Sequence, residues 1–420
     1  MRMDNETYRL KVENMFSLLA EKDGSWKPEV LTELEHLALA ARKGRYFLRV
    51  VGTQPRTFQI HFYRYYMSRA RREDSIVDLE RHIRHMFYET REEAKEILAE
   101  LVDSSTLPAL FQVIALTEEG WLAGELIRIV LGAPIDQLRQ PITQHLYSPT
   151  YLLQCLAIYL IGKLGDEDLL EALVEFYRKP EGEKVDRLEK KAYDALIEGG
   201  SMASPRLILR WLKDKNSRVR EIGLTLASER QIPEAVSDLV GLVLVDAKTR
   251  ARAAAVLLEY EQTGVLSWYK DDERSLGVQR IINGAKEAPL IATLRSMLLR
   301  EDNSAVREVV VNLTRLAPES NELSSQLRRL VNEDNSSGVQ IAAMHALADV
   351  DRGRMKRALI ELFSADAPNR EVIEAANEIM DTLPASEVRQ IKQGVRTRME
   401  RRQAALDKFA ASVEWWRHDT

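Results

Sequence analysis

His82 and His85 stand three apart in the stretch LERHIRHMFYE, with Glu80 and Glu89 close by. On a helix that spacing sets metal-ligating groups on one face, the beginning of a zinc site. A zinc centre needs further ligands in fixed geometry, and no cysteine pair or second histidine cluster supplies them. No metal or other cofactor is therefore expected, and the pair reads as a solvated, partly basic helix face. Nucleophilic chemistry is no better served. Cys155, the one cysteine of the chain, sits in YLLQCLAIYLIG among Leu153, Leu156, Ile158 and Leu160, a setting that favours the inert thiol over the thiolate. GRYFLRVVG and IEGGSMASP carry glycines without the spacing of a phosphate loop or a nucleophile elbow. No catalytic set emerges, and a non-enzymatic role is expected.

Binding chemistry is better represented. Gly44 to Arg72 reads GRYFLRVVGTQPRTFQIHFYRYYMSRARR, and Arg42 to Arg72 holds nine Lys or Arg and no Asp or Glu. The whole chain carries 60 basic against 65 acidic residues, a formal net charge of -5. Arginine neutralises phosphate and Tyr or Phe stacks on bases, so the segment could meet nucleic acid. It could equally bury its rings in a core and offer its cations to acidic groups, either of the chain itself or of a protein partner or anionic lipid. The acidic remainder of the chain would repel phosphate beyond the local patch, which favours a partner with an acidic protein surface. The candidate partner-binding residues are Arg45, Arg49, Arg64, Tyr65, Arg69, Arg71 and Arg72. As a helix after Pro55, the segment puts Phe58, Phe62, Tyr65, Tyr66 and Arg69 on one face. As a strand, it alternates Phe58, Ile60 and Phe62 with Gln59 and His61, with a hairpin about Gly52 to Pro55. The helical surroundings favour the helix.

The elements that position these residues follow from size and period. At 420 residues, 45% apolar and 30% charged, the chain exceeds one ordinary core and suits two or three domains or a repeat array. A single cysteine excludes an internal disulfide, the first residues lack a secretory apolar core, and no run approaches the roughly 20 apolar residues of a membrane span. A cytoplasmic, soluble protein is expected. DKNSRVREIGLTLA from Asp214 and DAKTRARAAAVLLE from Asp246 begin 32 residues apart, as do EDNSAVREVVVNLTRL from Glu301 and EDNSSGVQIAAMHALADV from Glu333, and Asp366 continues the step. Each unit predicts a helix, a polar turn and a second amphipathic helix. Its apolar residues are Val219, Ile222, Leu224 and Leu226 after Asp214, and Val306, Val309, Val310 and Leu313 after Asp302. Asp, Asn and Ser in the turns are placed to cap the second helix. One such pair leaves an apolar face open, and stacking closes it.

The pattern resembles the HEAT repeat, particularly the bacterial variety seen in phycobilisome-lyase-like proteins, where an acidic turn residue is followed six positions later by Arg preceded by Val. Asp214 with Val219 and Arg220 fits, Glu301 with Val306 and Arg307 nearly so, and Asp246 with Arg252 fits with Ala251 before the Arg. The resemblance implies that these acidic and Arg side chains form a ladder between neighbouring repeats, a structural role. It also implies a right-handed α-solenoid whose concave surface binds a protein partner. Some HEAT-like proteins are alkylpurine DNA glycosylases, which makes a nucleic-acid-binding or glycosylase-like protein the alternative, although no residue here matches the glycosylase carboxylate.

Stepping back by 32 from Asp214 reaches Gly182, Thr150 and Glu118, so the array begins near Thr106 and holds about nine helix pairs. The step from Asp246 to Asp302 is 56 residues, which marks a shortened unit around Asp271. The expected organisation is a helical N-terminal region over 1–105, a HEAT-like solenoid over 106–384, and an amphipathic helix and tail over 385–420. In the last, Ile391, Val395, Met399, Leu406, Phe409, Val413 and Trp416 form one stripe, with Lys392, Arg396, Arg398, Arg401 and Arg402 mostly around it. Such a helix caps the last repeat, since solenoid ends need a polar outer face, or else binds in trans through EWWRH.

Overall fold

A computed structural model describes residues 5–19, 26–38, 44–70, 73–178, 185–365 and 369–418. Twenty-four α-helices account for nearly all of them, and no strand occurs among the described residues. The first twelve are α1 (Asn5–Leu19), α2 (Pro28–Ala38), α3 (Gly44–Val51), α4 (Arg56–Arg69), α5 (Glu73–Glu89), α6 (Arg91–Leu101), α7 (Leu107–Leu116), α8 (Gly120–Leu131), α9 (Ile135–Leu146), α10 (Tyr151–Leu164), α11 (Glu167–Arg178) and α12 (Val185–Gly200). The rest are α13 (Pro205–Leu212), α14 (Ser217–Arg230), α15 (Val236–Val245), α16 (Arg250–Gln262), α17 (Leu276–Gly284), α18 (Glu287–Arg300), α19 (Ser304–Leu316), α20 (Asn321–Glu333), α21 (Ser337–Val350), α22 (Arg352–Phe363), α23 (Arg370–Asp381) and α24 (Ala385–His418). They form two compact units, Met1–Ser204 and Pro205–Thr420.

Both units are all-α solenoids built of two helix layers, because each helix buries one stripe against its sequence neighbour and against the helices of the adjoining pairs. In the first unit α1, α3, α5, α7, α10 and α12 pack in turn, as do α2, α4, α6 and α8, while α9 packs on α11. The region 1–105, where no period is legible, thus stacks helix pairs by the same alternation. In the second unit α14, α16, α19, α21 and α23 form one layer, with α15 on α17 and α18, α20, α22 and α24 in succession on the other. The 56-residue step is a half pair: α17 has no second helix, so α16 packs directly on α19. The chain between α16 and α17 turns inward instead, burying Leu266 and Trp268 and laying Tyr269 over the Arg315 guanidinium at 4.4 Å.

The predicted caps hold in part: Asn216 Oδ1 accepts from Arg218 N at 2.9 Å and Asn303 Oδ1 from Val306 N at 3.2 Å, but Thr249 and Ser336, ahead of α16 and α21, make no side-chain cap bond. So does the ladder. Arg220 Nη1 donates to the Asp214 and Lys215 carbonyls at 2.7 and 3.0 Å while Nη2 pairs with Asp246 at 2.6 Å. Arg307 repeats the arrangement, with Nη1 on the Glu301 and Asp302 carbonyls and a fork on Asp334 at 2.9 Å for both bonds. The middle rung differs from expectation. Arg250, not Arg252, makes it, donating to the Val243 carbonyl at 2.8 Å and to Glu301 at 3.2 Å. The turn after Asp246 is one residue longer than that after Asp214, so Arg252 is the third residue of its helix where Arg220 and Arg307 are the fourth, and it points to another face, which is exposed. A rung unmarked in the sequence joins Arg139 to Asp166 in the first unit. Gly182 and Asp366 lie outside the described residues.

The helix α24 caps the second unit through its first half. Ile391 is buried and Lys356 meets Glu387 at 3.1 Å, but Met399 and Leu406 are exposed, so the expected stripe is covered only in part. Phe409, Val413 and Trp416 lie outside the described side chains. Among the described residues no helix is long and apolar enough to cross a membrane.

Candidate partner-binding surface

The Arg/aromatic segment folds as two helices, α3 and α4, joined by a short turn at Gly52 to Pro55. Pro55 fixes the chain ahead of the first turn of α4, where a missing N–H costs nothing. The rings go inward. Phe47, Phe62, Tyr63 and Tyr66 are 3% exposed or less, and Phe62 stands edge-on to Phe16 at 4.9 Å and to Phe47 at 5.6 Å. Trp26 adds edge contacts to Phe58 at 5.2 Å and His61 at 4.9 Å.

The cations divide into two groups. Arg56 reaches Glu96 at 2.8 Å and Glu100 at 2.5 Å, and Arg64 meets Asp103 at 3.0 Å and the Glu100 carbonyl at 2.7 Å, so both clamp α4 to α6. Arg69 lies 3.9 Å over the half-buried Tyr65 ring. Arg45 and Arg49, one turn apart on α3, are exposed and have no partner among the described residues. Arg71 and Arg72 lie outside the described residues. Of the expected binding set the structure therefore leaves Arg45 and Arg49 open, holds Tyr65 with Arg69, and commits Arg64 to the fold.

The histidine pair does not share a solvated face. His82 is buried, 2.9 Å from the Tyr63 hydroxyl, whereas His85 is exposed and meets Glu89 at 3.3 Å. Gly52 admits this arrangement, since a Cβ there would stand 3.2 Å from the Tyr63 oxygen. Burial pushes the His82 imidazole down to about 4, with His85 adding to the effect. The unfolded chain then binds the extra proton at higher pH, so this contribution to stability is complete above about pH 6.5 and is lost as the pH falls towards 4. Denaturant titrations at pH 7 and 4.5 are expected to show roughly 2 kcal/mol more acid loss in the native chain than in His82→Gln. Equal losses would show that His82 is already charged or solvated. Cys155 is half-buried rather than enclosed, because it falls off the Leu153, Leu156 and Leu160 stripe.

A surface missed at the sequence level lies at the α5–α6 and α7–α8 turns. Tyr88 is 64% and Trp121 41% exposed, yet both are held: their rings meet edge-on at 5.5 Å, and the Tyr88 hydroxyl donates to Glu119 at 2.8 Å. Arg91 sits 5.6 Å over the Trp121 ring while pairing with Glu125, a buried carboxylate that also takes Arg128 at 2.9 Å. The Arg91 hydrogen bond first, then Lys95 and Arg128, keep that carboxyl below the usual range. The available signal was position, since Trp121 stands outside the Leu122, Leu126 and Val130 stripe and Tyr88 outside that of Ile83 and Phe87.

No family model matches the sequence, and no curated protein matches it. Among solved structures, Kap121p bound to RanGTP aligns at 14% identity over 93% of this chain and 46% of its own, with a TM-score of 0.39. SYS-1 aligns at 12% identity over 94% and 93%, with a TM-score of 0.34. The chain spans about half the length of the Kap121p chains it matches.

Proposed function

We propose that the chain is a non-catalytic HEAT-type scaffold of the bacterial phycobilisome-lyase-like variety, holding a protein partner with an acidic surface. The Arg220 and Arg307 rungs support the repeat variety. The observation that carries the binding role is the pair Tyr88 and Trp121, two large rings exposed yet fixed in place beside Arg91. Trp, Tyr and Arg dominate interface energetics, and rings already held by neighbours lose little entropy on binding. Arg45 and Arg49, uncommitted on the same unit, suit an acidic partner and would act chiefly on the rate of encounter. The nucleic-acid reading has less support, because Phe58, Phe62 and Tyr63, the rings on which bases would stack, are buried.

The test is a pull-down of the full chain from its native host with mass spectrometry, repeated with Tyr88→Ala plus Trp121→Ala. One stoichiometric protein is expected, lost by at least about 30-fold in affinity in the double variant. Arg45→Gln plus Arg49→Gln should lower the association rate and its salt dependence. Recovery of no stoichiometric protein, or full retention by the aromatic double variant, would overturn the reading.

A further inference from the structure

At the half pair of the second unit the layer of α15, α17, α18 and α20 is interrupted. The short α17 sits against the N-terminal end of α15, where Ser237 Oγ donates to the Gly277 carbonyl at 3.0 Å and a Cβ at Gly277 would stand 3.1 Å from Val236. Beyond it α15 and α18 do not close on each other as α18 and α20 or α20 and α22 do. A groove of about 460 Å³ opens there, between the C-terminal end of α15 and the last turns of α18, beside the Arg250 and Glu301 rung.

Its walls leave apolar surface uncovered. Gly241, Leu244 and Val245 fall on one side of α15, where Val245 is 84% exposed and nothing stands within 4 Å of a Cβ placed on Gly241. Across the groove the small, exposed Ala292 and Ser296 keep the α18 wall low, so that the buried Met297 can be reached. At the mouth stands Arg300, exposed and in no ion pair among the described residues, whereas Arg295 is committed to Glu322 at 2.7 Å and Arg250 to Glu301 at 3.2 Å. The groove thus joins an open apolar patch to a cation at one end.

We propose that this groove takes an amphipathic helix of a protein partner, with a Leu, Ile or Met seated between Leu244 and Met297 and an Asp or Glu one turn away on Arg300. A helix satisfies its own backbone, which suits a unit whose described residues offer no sheet edge to an extended peptide. The other members of the layer meet by apolar stripes, and the incoming helix continues that packing where α15 and α18 stand apart. The carboxylate on Arg300 fixes which way the helix lies. No aromatic ring lines the groove, so it gives bases nothing to stack on. The inference does not rest on the Tyr88 and Trp121 surface, which lies in the other unit, and either can fail alone.

Fluorescence anisotropy of the full chain tests the proposal with a labelled peptide of about 16 residues, carrying Leu at i, i+3, i+4 and i+7, Glu one turn beyond, and Ala and Gln elsewhere. Binding is expected. Ala292→Gln plus Ser296→Gln fills the groove at two exposed helical positions with a good helix former, and should weaken binding at least about tenfold with the melting temperature unchanged. Arg300→Glu should weaken it about threefold, and a peptide with Lys in place of Glu should recover that loss on the variant. The same peptide broken by a central proline should not bind. No binding up to about 1 mM, equal binding of the broken peptide, or indifference to the groove-filling pair would overturn the proposal. So would self-association of the chain that the same pair abolishes, since the occupant would then be a second copy.

Discussion

Arg307→Ala is expected to lower the unfolding free energy of the second unit by about 3 kcal/mol, the scale for removing one partner of a buried ion pair. The Arg307 and Asp334 side chains are 15% and 5% exposed, so water can do little to replace the fork. The same change strips a donor from the Glu301 and Asp302 carbonyls, which flank the Asn303 cap of α19. Adding Asp334→Ala should cost less than the sum of the single changes, because the second substitution removes the carboxylate that the first left unpaired. Urea unfolding followed by circular dichroism measures both. If Arg307→Ala left the midpoint unchanged but abolished a partner interaction, the rung would belong to binding rather than to the fold.

Gly162→Leu is expected to cost the first unit about 3 kcal/mol or more. A Cβ at Gly162 would stand 3.0 Å from Ala195 Cα and Cβ and 3.2 Å from its carbonyl oxygen, and one at Gly199 would meet Leu170 at 2.8 Å. Here α10 and α12 touch backbone to backbone, so no rotamer change relieves an added side chain. Gly124, inside α8, has nothing within 4 Å of its Cβ position, and Gly124→Ala should instead stabilise by about 0.5–1 kcal/mol through helix propensity. Opposite shifts in melting temperature are expected. A Gly162→Leu protein as stable as the native chain would mean that the two helices can separate freely.

The repeat was legible because its chemistry is local. A cap at Asn216 or Asn303, an apolar run such as Val306 to Leu313 and an Arg six residues after an acidic turn all lie within one unit. Arg252 was misleading because a longer turn changes which arginine faces the next pair, and turn length is set by tertiary fit. The Glu301 acceptor for Arg250 lies 51 residues on, across the shortened unit, and no fixed period points to it. At the candidate surface, sequence order placed rings and cations together but could not say which face each would take. Burial sends Phe62 and Tyr63 inward and α6 claims Arg56 and Arg64. Tyr88 and Trp121 escaped notice because they meet only when adjoining pairs stack.

The half pair at α17 bears on how the second unit carries load. In a linear stack each junction is a single joint, and a missing helix ought to leave the weakest one. Here α17 packs on both α15 and α19, while α16 packs on α15 and α19 as well, so the same two helices are joined by parallel routes. With Trp268 and Leu266 filling the space beside them, the place where the period breaks is cross-braced. Loosening one route there leaves the other intact, a redundancy that a uniform run of pairs would not need.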